Sequence, residues 1–236
     1  MRPPHKSGIR TTRRGALALL GAVPAASCAA PVVQSLSSLA EPAGGRFLHG
    51  IASGDPRADS VLLWTRVSAI DPSMPVDVAW ELSESEDFAQ AMRGTTQARP
   101  ARDHCVKVVV DGLAPGRDYF YRFTAGGNQS PAGRTRTLPA GGVETARFAV
   151  VSCSNWEHGY FNVYDLVARH AAERPFDAMI HLGDYYYEYV AQAYDAPNTP
   201  TERVHVPANE IVSLADYRAA ARGVDSGFVT GAHGAS

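Results

Sequence analysis

The sequence has few of the features that mark several large classes of protein. Its 3 cysteines lack the paired spacing of a zinc ribbon or of a disulfide framework. Its 22 basic residues are balanced by 24 acidic ones without a dense basic run in the body of the chain, which argues against nucleic acid as a partner. No apolar stretch is long enough for a stable membrane span. With 45% hydrophobic residues over 236 positions, the chain can form one large or two small domains, which excludes a disordered tail protein.

The first forty residues contain no acidic side chain and are typical of an export signal. Five basic residues come before and around the start of a short, alanine-rich apolar stretch over 15–30, which is too short to anchor the chain in a membrane. The segment TRRGAL at 12–17 resembles the twin-arginine export motif, although that motif usually has phenylalanine at its fifth position; an ordinary secretory leader is the alternative. We expect cleavage after Ala40, and lipidation of Cys28 is the second possibility.

This leader predicts both the compartment and the charge of the mature chain. The twin-arginine export machinery would be a partner, and the predicted location is periplasmic or secreted. Removing residues 1–40 takes away five basic and no acidic residues, which leaves a formal net charge of about −7. Cys105 and Cys153 then remain as thiols in an oxidising compartment, and no disulfide between them is predicted.

Residues 41–140 have the pattern of an antiparallel β-sandwich. Seven short β-rich runs lie between residues 47 and 138 at near-regular spacing, separated by turn clusters. In the run 76–81, valine and tryptophan alternate with aspartate, alanine and glutamate, as in a strand with one buried face. The turn 113–119 resembles the tyrosine corner of fibronectin type III domains, in which the tyrosine hydroxyl holds the turn to the backbone. We therefore predict a fibronectin type III-like sandwich with a structural role for Tyr119.

Beyond a Pro-Ala-Gly-Gly linker at 139–142, the pattern changes to strand, helix and strand. The run 146–152 is almost entirely apolar, as expected of a strand covered on both faces. A helical stretch follows and is stopped by Pro175. Its apolar positions at helical spacing are Phe161, Tyr164, Val167, Ala168 and Ala171. A second apolar run, 178–182, ends in Gly-Asp, and a right-handed crossover would place the carboxyl ends of both strands at one edge of a parallel sheet.

Three candidate metal ligands follow these two strands, at the edge where open α/β sheets bind their ligands. Cys153 follows the first strand, Asp184 follows the second, and Tyr187 lies one turn further along. Their deprotonated forms would repel one another without a cation. A free phenol titrates near pH ~10, so a phenolate ligand favours a strong Lewis acid such as ferric iron over a lone Ca²⁺ or Mg²⁺. Asp184 is the predicted bridging ligand if the site holds more than one metal.

Four ordered blocks of the sequence resemble the N-terminal half of the alkaline phosphatase D (PhoD-like) family. They span roughly 46–218 and read FLHGIASGDPRADSVLLWTRV, SCSNWEHGYFNVYDLVAR, HLGDYYYEY and EIVSLADYR. The resemblance implies an exported phosphatase with an N-terminal sandwich and a metallophosphoesterase-like domain that binds ferric iron and Ca²⁺. It also implies that Cys153 and Tyr187 bind the iron and that Asp184 bridges the metals, and it assigns no catalytic residue.

The resemblance further leads us to expect an incomplete second domain. The later blocks that carry the family's remaining ligands have no counterpart in this sequence. We therefore predict the start of an α/β metallophosphatase domain over 146–222, truncated, and a disordered Gly/Ala/Ser-rich tail over 223–236. The predicted activity is hydrolysis of phosphate monoesters or diesters, in which metal ions activate the attacking hydroxide and neutralise the phosphoryl oxygens. The alternative is a non-catalytic exported β-sandwich with a remnant phosphatase segment.

Other polar and aromatic residues are predicted to have structural roles. His181 lies inside an apolar strand and is expected to be a hydrogen-bonded core histidine. Glu157 and His158 fall in the loop after Cys153, which is expected to be solvated. The tyrosines expected to form pocket walls or core are Tyr185, Tyr186 and Tyr189. The histidines expected to be structural or exposed are His49, His104 and His205.

Overall fold

The computed structural model describes residues 45–191, 193 and 203–233, with side chains as far as Val224. The leader predicted over 1–40 therefore lies outside the described residues, as do Cys28 and the cleavage site after Ala40. Within the described ranges, the structure contains no helix that combines the length and the apolar character needed to cross a membrane.

Two antiparallel sheets form the first part of the described chain. Their strands are β1 (Ile51–Gly54), β2 (Ser60–Arg66), β3 (Val76–Ser83), β4 (Met92–Ala98), β5 (Cys105–Asp111), β6 (Asp118–Ala125), β7 (Asn128–Gln129) and β8 (Gly133–Arg136). One sheet has the order β1-β2-β5. The other has the order β4-β3-β6, and both β7 and β8 pair with β6. All of these strands except the two-residue β7 overlap the seven runs that the sequence predicts.

The two sheets share one hydrophobic core. Side chains of β2 and β5 on one sheet and of β3 and β6 on the other belong to a single buried cluster. Phe123 of β6 is fully buried in this core. Its ring centroid lies 6.4 Å from that of Phe47 and 6.3 Å from that of Tyr121. Along β6, buried and half-buried positions alternate, as expected when one face of a strand points into the core.

The turn before β6 has the tyrosine contact that the sequence predicts. The hydroxyl of Tyr119 accepts a hydrogen bond from the backbone N–H of Ala114 at 2.9 Å. Thr137 closes the same region from the other side, because its Oγ1 donates to the carbonyl of Ala114 at 2.7 Å and accepts from the N–H of Arg117 at 3.0 Å. These bonds satisfy turn groups that would otherwise be partly buried without partners.

The second part of the chain contains the predicted strand-helix-strand unit. Its elements are β9 (Phe148–Val151), α1 (Asn162–Glu173) and β10 (Ala178–His181). β9 and β10 pair in parallel, with Phe148 opposite Ala178 and Val151 opposite His181. Their carboxyl ends therefore lie at the same edge of the two-stranded sheet, as the crossover predicts.

The prediction that β9 is covered on both faces is wrong for the described chain. Ala149 and Val151 are buried, but the side chains that alternate with them are not: Phe148 is 52% exposed and Val150 is 57% exposed. The physical reason is that too few described residues pack against this two-stranded sheet to cover it: Met179 and Ile180, on opposite faces of β10, are also 55% and 41% exposed.

The helix α2 (Leu214–His233) begins with a capping box. The carboxylate of Asp216 accepts a hydrogen bond from the N–H of Ser213 at 2.8 Å, and the Ser213 hydroxyl accepts one from the N–H of Asp216 at 3.2 Å. The prediction of a disordered tail over 223–236 is wrong for residues 223–233, because the helix continues to His233, and residues 234–236 lie outside the described residues. Three consecutive alanines, 219–221, favour the helix ahead of the glycines, so helix propagation extends into the Gly-rich stretch.

The start of α2 contacts the sandwich through a charged junction. Arg222 Nη1 lies 2.8 Å from Asp103 Oδ1, and Arg66 binds the same carboxylate through Nε at 3.0 Å and Nη2 at 3.2 Å. Arg218 donates to the carbonyl of Ala101 at 2.9 Å. One carboxylate thus joins a strand of the first part to a helix of the second.

Candidate functional site

Backbone hydrogen bonds extend the pairing of β9 and β10 beyond the ends of the strands. They run from Leu182 N to Val151 O (2.8 Å), from Cys153 N to Gly183 O (3.1 Å) and from Ser154 N to Asp184 O (2.7 Å). Cys153 and Asp184 are 31 positions apart in the sequence. These bonds nevertheless hold them side by side at the edge of the sheet.

The structure brings the three predicted ligands together. Cys153 Sγ lies 3.6 Å from Asp184 Oδ2. The hydroxyl of Tyr187 lies close enough to the side chains of Cys153 and Asp184 for both of them to act on its pKa. Cys153 and Asp184 are exposed and Tyr187 is half-buried, so a solute can reach the cluster.

The surroundings of Tyr187 raise the pKa of its phenol far above the ordinary 10.0. Burial of the ring is the largest cause, and the hydrogen bonds and negative charges of Cys153 and Asp184 act in the same direction. Deprotonation of Tyr187 in this setting therefore needs a compensating positive charge. A metal cation is the kind of ligand that would supply one.

Two of the three residues have a left-handed backbone. The φ angle is 66° at Cys153 and 52° at Asp184, and Gly183 between the strand and Asp184 has a φ of 118°. Aspartate tolerates this region better than most residues, whereas cysteine in it costs about 1–2 kcal/mol. Backbone strain of this kind concentrates at functional sites, where the surrounding structure keeps it in place.

A second cluster of polar side chains lies directly beside these residues: Ser154, Tyr164 and His181. Ser154 Oγ is 2.6 Å from the Tyr164 hydroxyl and 3.1 Å from His181 Nε2, and the Tyr164 hydroxyl is 2.9 Å from the same nitrogen. His181 is hydrogen-bonded as predicted, but it is half-buried rather than in the core. Sequence reasoning does not identify Ser154 and Tyr164 as the partners of His181. The signal for Tyr164 is its position on the apolar face of the helix, because a tyrosine hydroxyl that is removed from solvent needs a hydrogen-bond partner.

The loop between β9 and α1 is not the solvated loop predicted for Glu157. Glu157 is 8% exposed, and its Oε1 accepts a hydrogen bond from the N–H of His205 at 3.1 Å. The guanidinium of Arg203 lies 4.3 Å from the centroid of the Trp156 ring, on the same loop. His205 lies 48 residues from Glu157 in the sequence. Local sequence patterns do not reveal contacts between residues so far apart.

The remaining predicted side chains are distributed around the site and the sandwich. Tyr185 contacts His181 edge-on, with ring centroids 5.3 Å apart, so it forms part of the wall of the site. Tyr189 is 49% exposed and therefore lies on the surface rather than in a core. The half-buried residues are Tyr186, His158 and His49, and the buried histidines are His104 and His205.

A cavity of about 600 Å³ opens beside Cys153 at the start of α1. Its polar side chains include Asn155, His158 and Asn162, and the ring of Tyr160 forms part of its wall. A concave space of this size with a few hydrogen-bonding groups suits a small-molecule ligand.

The described residues contain no group of three or more histidine, cysteine, aspartate or glutamate side chains that could hold a metal ion. At the strand ends, Cys153 and Asp184 provide only two side chains of these four types. The third donor at the strand ends is the phenol of Tyr187, so the arrangement offers one sulfur and two kinds of oxygen ligand.

Comparisons with known proteins match both parts of the chain. The family model described as PhoD-like phosphatase, N-terminal domain, matches residues 33–139, and the model described as PhoD-like phosphatase matches residues 148–226. Alkaline phosphatase D of Bacillus subtilis (strain 168) is 45% identical over 182 residues, which cover 73% of this chain and 30% of the relative. A solved structure of PhoD is 40% identical, with a TM-score of 0.70, over 79% of this chain and 37% of its own.

The chain therefore spans about a third of the length of the relatives that it matches. The second family match includes the positions of Cys153, Asp184 and Tyr187. It does not favour the alternative in which the region beyond the sandwich is a non-catalytic remnant.

Proposed function

The chain belongs to the PhoD-like phosphatase family, and on that premise we propose that it serves metal-dependent hydrolysis of phosphate monoesters or diesters, with Cys153, Asp184 and Tyr187 as metal ligands. The observation that carries this proposal is the convergence of the three side chains where β9 and β10 end, with Cys153 Sγ 3.6 Å from Asp184 Oδ2. Ligands of open α/β sheets bind at this edge.

The donor set fits a cation of high charge. A phenol, a carboxyl and a thiol lie together at the ends of the two strands. Burial, followed by the hydrogen bonds and negative charges of Cys153 and Asp184, raises the pKa of Tyr187, so its phenolate form needs a cation beside it. Cys153 and Tyr187 would hold Fe³⁺, and Asp184 would be the ligand shared with Ca²⁺. When bound, the metals supply Lewis acidity that neutralises negative charge on the phosphoryl group.

The residues of this chain would then bind the cations and orient the substrate. Cys153, Asp184 and Tyr187 bind the cations, and the cavity beside Cys153 admits the ester. Asn155 and His158 line that cavity and can donate hydrogen bonds to the oxygens of a phosphate group. Such donors orient the phosphorus toward the cations, which is the contribution expected of protein groups in phosphoryl transfer.

The finer assignment of both domains belongs to the same proposal. For the first domain, the strand orders β1-β2-β5 and β4-β3-β6-β8 and the bond between Tyr119 and Ala114 support a fibronectin type III-like sandwich. For the second, the parallel pair β9 and β10 with its crossover helix supports the beginning of a metallophosphoesterase-like α/β domain.

We also propose that the protein is exported to the periplasm or secreted by the twin-arginine machinery. The supporting feature is the segment TRRGAL at 12–17, which precedes a short apolar stretch. Replacement of both Arg13 and Arg14 by lysine is expected to keep the protein in the cytoplasm. Fractionation of the cells measures the exported share of the protein. An unchanged share in this variant would instead favour the ordinary secretory leader.

Metal binding is tested directly by titrating the purified chain with Fe³⁺ and recording visible absorption. Coordination of a tyrosine phenolate by Fe³⁺ produces a charge-transfer band, so the proposal expects this band in the unmodified chain and its loss in Tyr187→Phe. Cys153→Ser and Asp184→Asn should weaken Fe³⁺ binding by about 10-fold or more, because each removes a ligand. Tyr189→Phe is the matched control, since Tyr189 lies on the surface two positions away.

Activity is then measured on an aryl phosphate monoester and an aryl phosphate diester, with Fe³⁺ and Ca²⁺ added together. Hydrolysis that the three ligand variants lose and Tyr189→Phe keeps supports the proposed function and identifies the preferred ester. An Fe³⁺ band that survives Tyr187→Phe, or hydrolysis that is equal in all variants, refutes the assignment of these ligands.

A further inference from the structure

The cluster of Ser154, Tyr164 and His181 takes no part in the proposed chemistry, although it adjoins the metal ligands in the sequence. Ser154 directly follows Cys153, and His181 lies three positions before Asp184. The three side chains come from the loop after β9, from α1 and from β10. We propose that this cluster is a positioning device that keeps Cys153 and Asp184 in their left-handed conformations, so that the site is formed before any metal binds.

The cluster connects to both strained turns. The backbone N–H of Gly183 donates to His181 Nδ1 at 3.3 Å, so the ring of His181 contacts the turn that carries Asp184. The Ser154 N–H donates to the carbonyl of Asp184 at 2.7 Å, and its side chain contacts His181. Ser154 therefore links the turn of Cys153 to the turn of Asp184 through its backbone and its side chain at once.

The hydrogen bonds of His181 determine which ring nitrogen carries the proton. Because Nδ1 accepts from Gly183, the proton of the neutral ring lies on Nε2 and points into the cluster. There it is shared between the hydroxyl oxygens of Ser154 and Tyr164, which also bond to each other. Removal of either hydroxyl leaves buried or half-buried polar neighbours with one partner fewer, so the cluster resists rearrangement.

The helix α1 holds the cluster from the third side. The ring of Tyr164 lies nearly parallel to that of His181, with centroids 6.4 Å apart, and meets the ring of Phe161 edge-on at 6.0 Å. Phe161 has a φ of 60° and is the residue from which α1 begins. The position of Tyr164 is therefore set by the start of the helix and not by the strands alone.

A serine beside a histidine also occurs in hydrolases that form a covalent intermediate, but the structure opposes that role here. Ser154 has 0% exposure, and its hydroxyl is in contact with both Tyr164 and His181. A nucleophile must approach the reacting atom, and an ester has no path to this oxygen. The cluster acts on the site through the backbone.

This inference rests on the proposed metal site, and its test separates the two. The variants are Tyr164→Phe and Ser154→Ala, each of which removes one hydroxyl of the cluster. Tyr119→Phe is the matched control, because it removes a hydroxyl that bonds to the backbone of the sandwich.

The first measurement uses the metal-free chain. Cys153 is exposed and its thiol contacts Asp184, so its rate of alkylation by iodoacetamide reports whether this contact persists. Peptide mapping by mass spectrometry gives that rate relative to Cys105 of the same molecule. Loss of the cluster should raise the relative rate for Cys153 by about threefold or more, since the thiol is released from the carboxylate. The second measurement is the Fe³⁺ titration, in which affinity should fall about 10- to 100-fold.

Equal rates and affinities in Tyr164→Phe, Ser154→Ala and Tyr119→Phe would overturn the inference, because the cluster would then contribute to stability alone. A changed alkylation rate without any Fe³⁺ band in the unmodified chain would support the positioning role and reject the metal assignment. If Ser154→Ala does not fold, Tyr164→Phe, which retains the ring, decides the question.

Discussion

The two parts of the described chain are stabilised by different means. In the sandwich, inward side chains from both sheets form one buried apolar cluster, with Phe123 fully buried. In the strand-helix-strand unit, Ala149 and Val151 are the buried residues of the two strands, and α1 buries none. The geometry of the second region instead comes from hydrogen bonds and strained turns. Apolar burial therefore maintains the first region, and local polar contacts maintain the candidate site.

The largest expected effect tests this contrast with two phenylalanines. Phe123→Ala should lower the free energy of unfolding by about 3–5 kcal/mol, because it opens a cavity in a packed core. Phe148→Ala, at a side chain that is 52% exposed, should change it by about 0.5 kcal/mol or less. Urea unfolding followed by circular dichroism measures both. Similar losses in the two variants would mean that the second region has a core of comparable quality.

The next effect concerns the junction between the regions. Asp103→Asn removes the charge that Arg66 and Arg222 share, and Arg66 is only 9% exposed. We expect a loss of roughly 2 kcal/mol in unfolding free energy, which is below the value for a fully buried pair because the Asp103 side chain is 19% exposed. Arg222→Gln should cost less, since its side chain is 36% exposed. Equal costs would show that α2, rather than Arg66, dominates the junction.

The same junction gives a pH dependence through His49. Burial, followed by the positive charges of Arg66 and Arg222, lowers the pKa of His49 from 6.5 to about 4. The unfolded chain therefore binds more protons than the folded chain between these values, so the free energy of unfolding falls as the pH drops from 6.5 toward 4. Allowing for partial exposure, the contribution is on the order of 1 kcal/mol.

Unfolding free energies measured at steps between pH 7 and pH 4 check this prediction. His49→Gln should flatten the curve over that interval, because glutamine does not titrate. The pKa of Asp103 has a different signature: burial acts to raise it, but the hydrogen bond from Arg66 and the charges of Arg66 and Arg222 lower it below its ordinary 3.8. Its contribution is present above about pH 4 and is lost as the pH falls further. A curve that His49→Gln leaves unchanged would contradict the assignment.

The smallest effect belongs to the tyrosine corner. Tyr119→Phe keeps the ring in the core and removes the hydrogen bond to the N–H of Ala114. We expect a loss of about 1 kcal/mol in unfolding free energy and no change in Fe³⁺ binding. A change in metal affinity would show that the two regions are coupled more closely than their separate stabilisation suggests.

The sandwich could be predicted strand by strand because its signals are local. Alternation and turn residues locate the strands, and the turn sequence identifies Tyr119. The exception is β7, since Asn128 and Gln129 form a two-residue strand with no apolar alternation. The exposure of Phe148 and Val150 could not be predicted, because an apolar run indicates a buried strand but does not identify what covers each face.

The candidate site could be predicted in part for a topological reason. The crossover rule brings the ends of β9 and β10 together, which was enough to select Cys153 and Asp184. The cluster around Ser154 could not be found this way, because it depends on the angle at which α1 meets the sheet. The burial of Glu157 was also missed, since it depends on the distant backbone of His205.

The left-handed backbone at positions 153 and 184 also restricts which amino acids can replace the residues there. Glycine, asparagine and aspartate enter this region most readily, whereas β-branched side chains are strongly disfavoured. Asp184 already belongs to the tolerated set, but Cys153 does not. In a library randomised at 153, the residues that relieve the conformational cost are therefore expected to be glycine, asparagine, aspartate and histidine. None of these residues carries a thiol, so relief of the backbone strain at this position always removes the sulfur atom that lies 3.6 Å from Asp184 Oδ2.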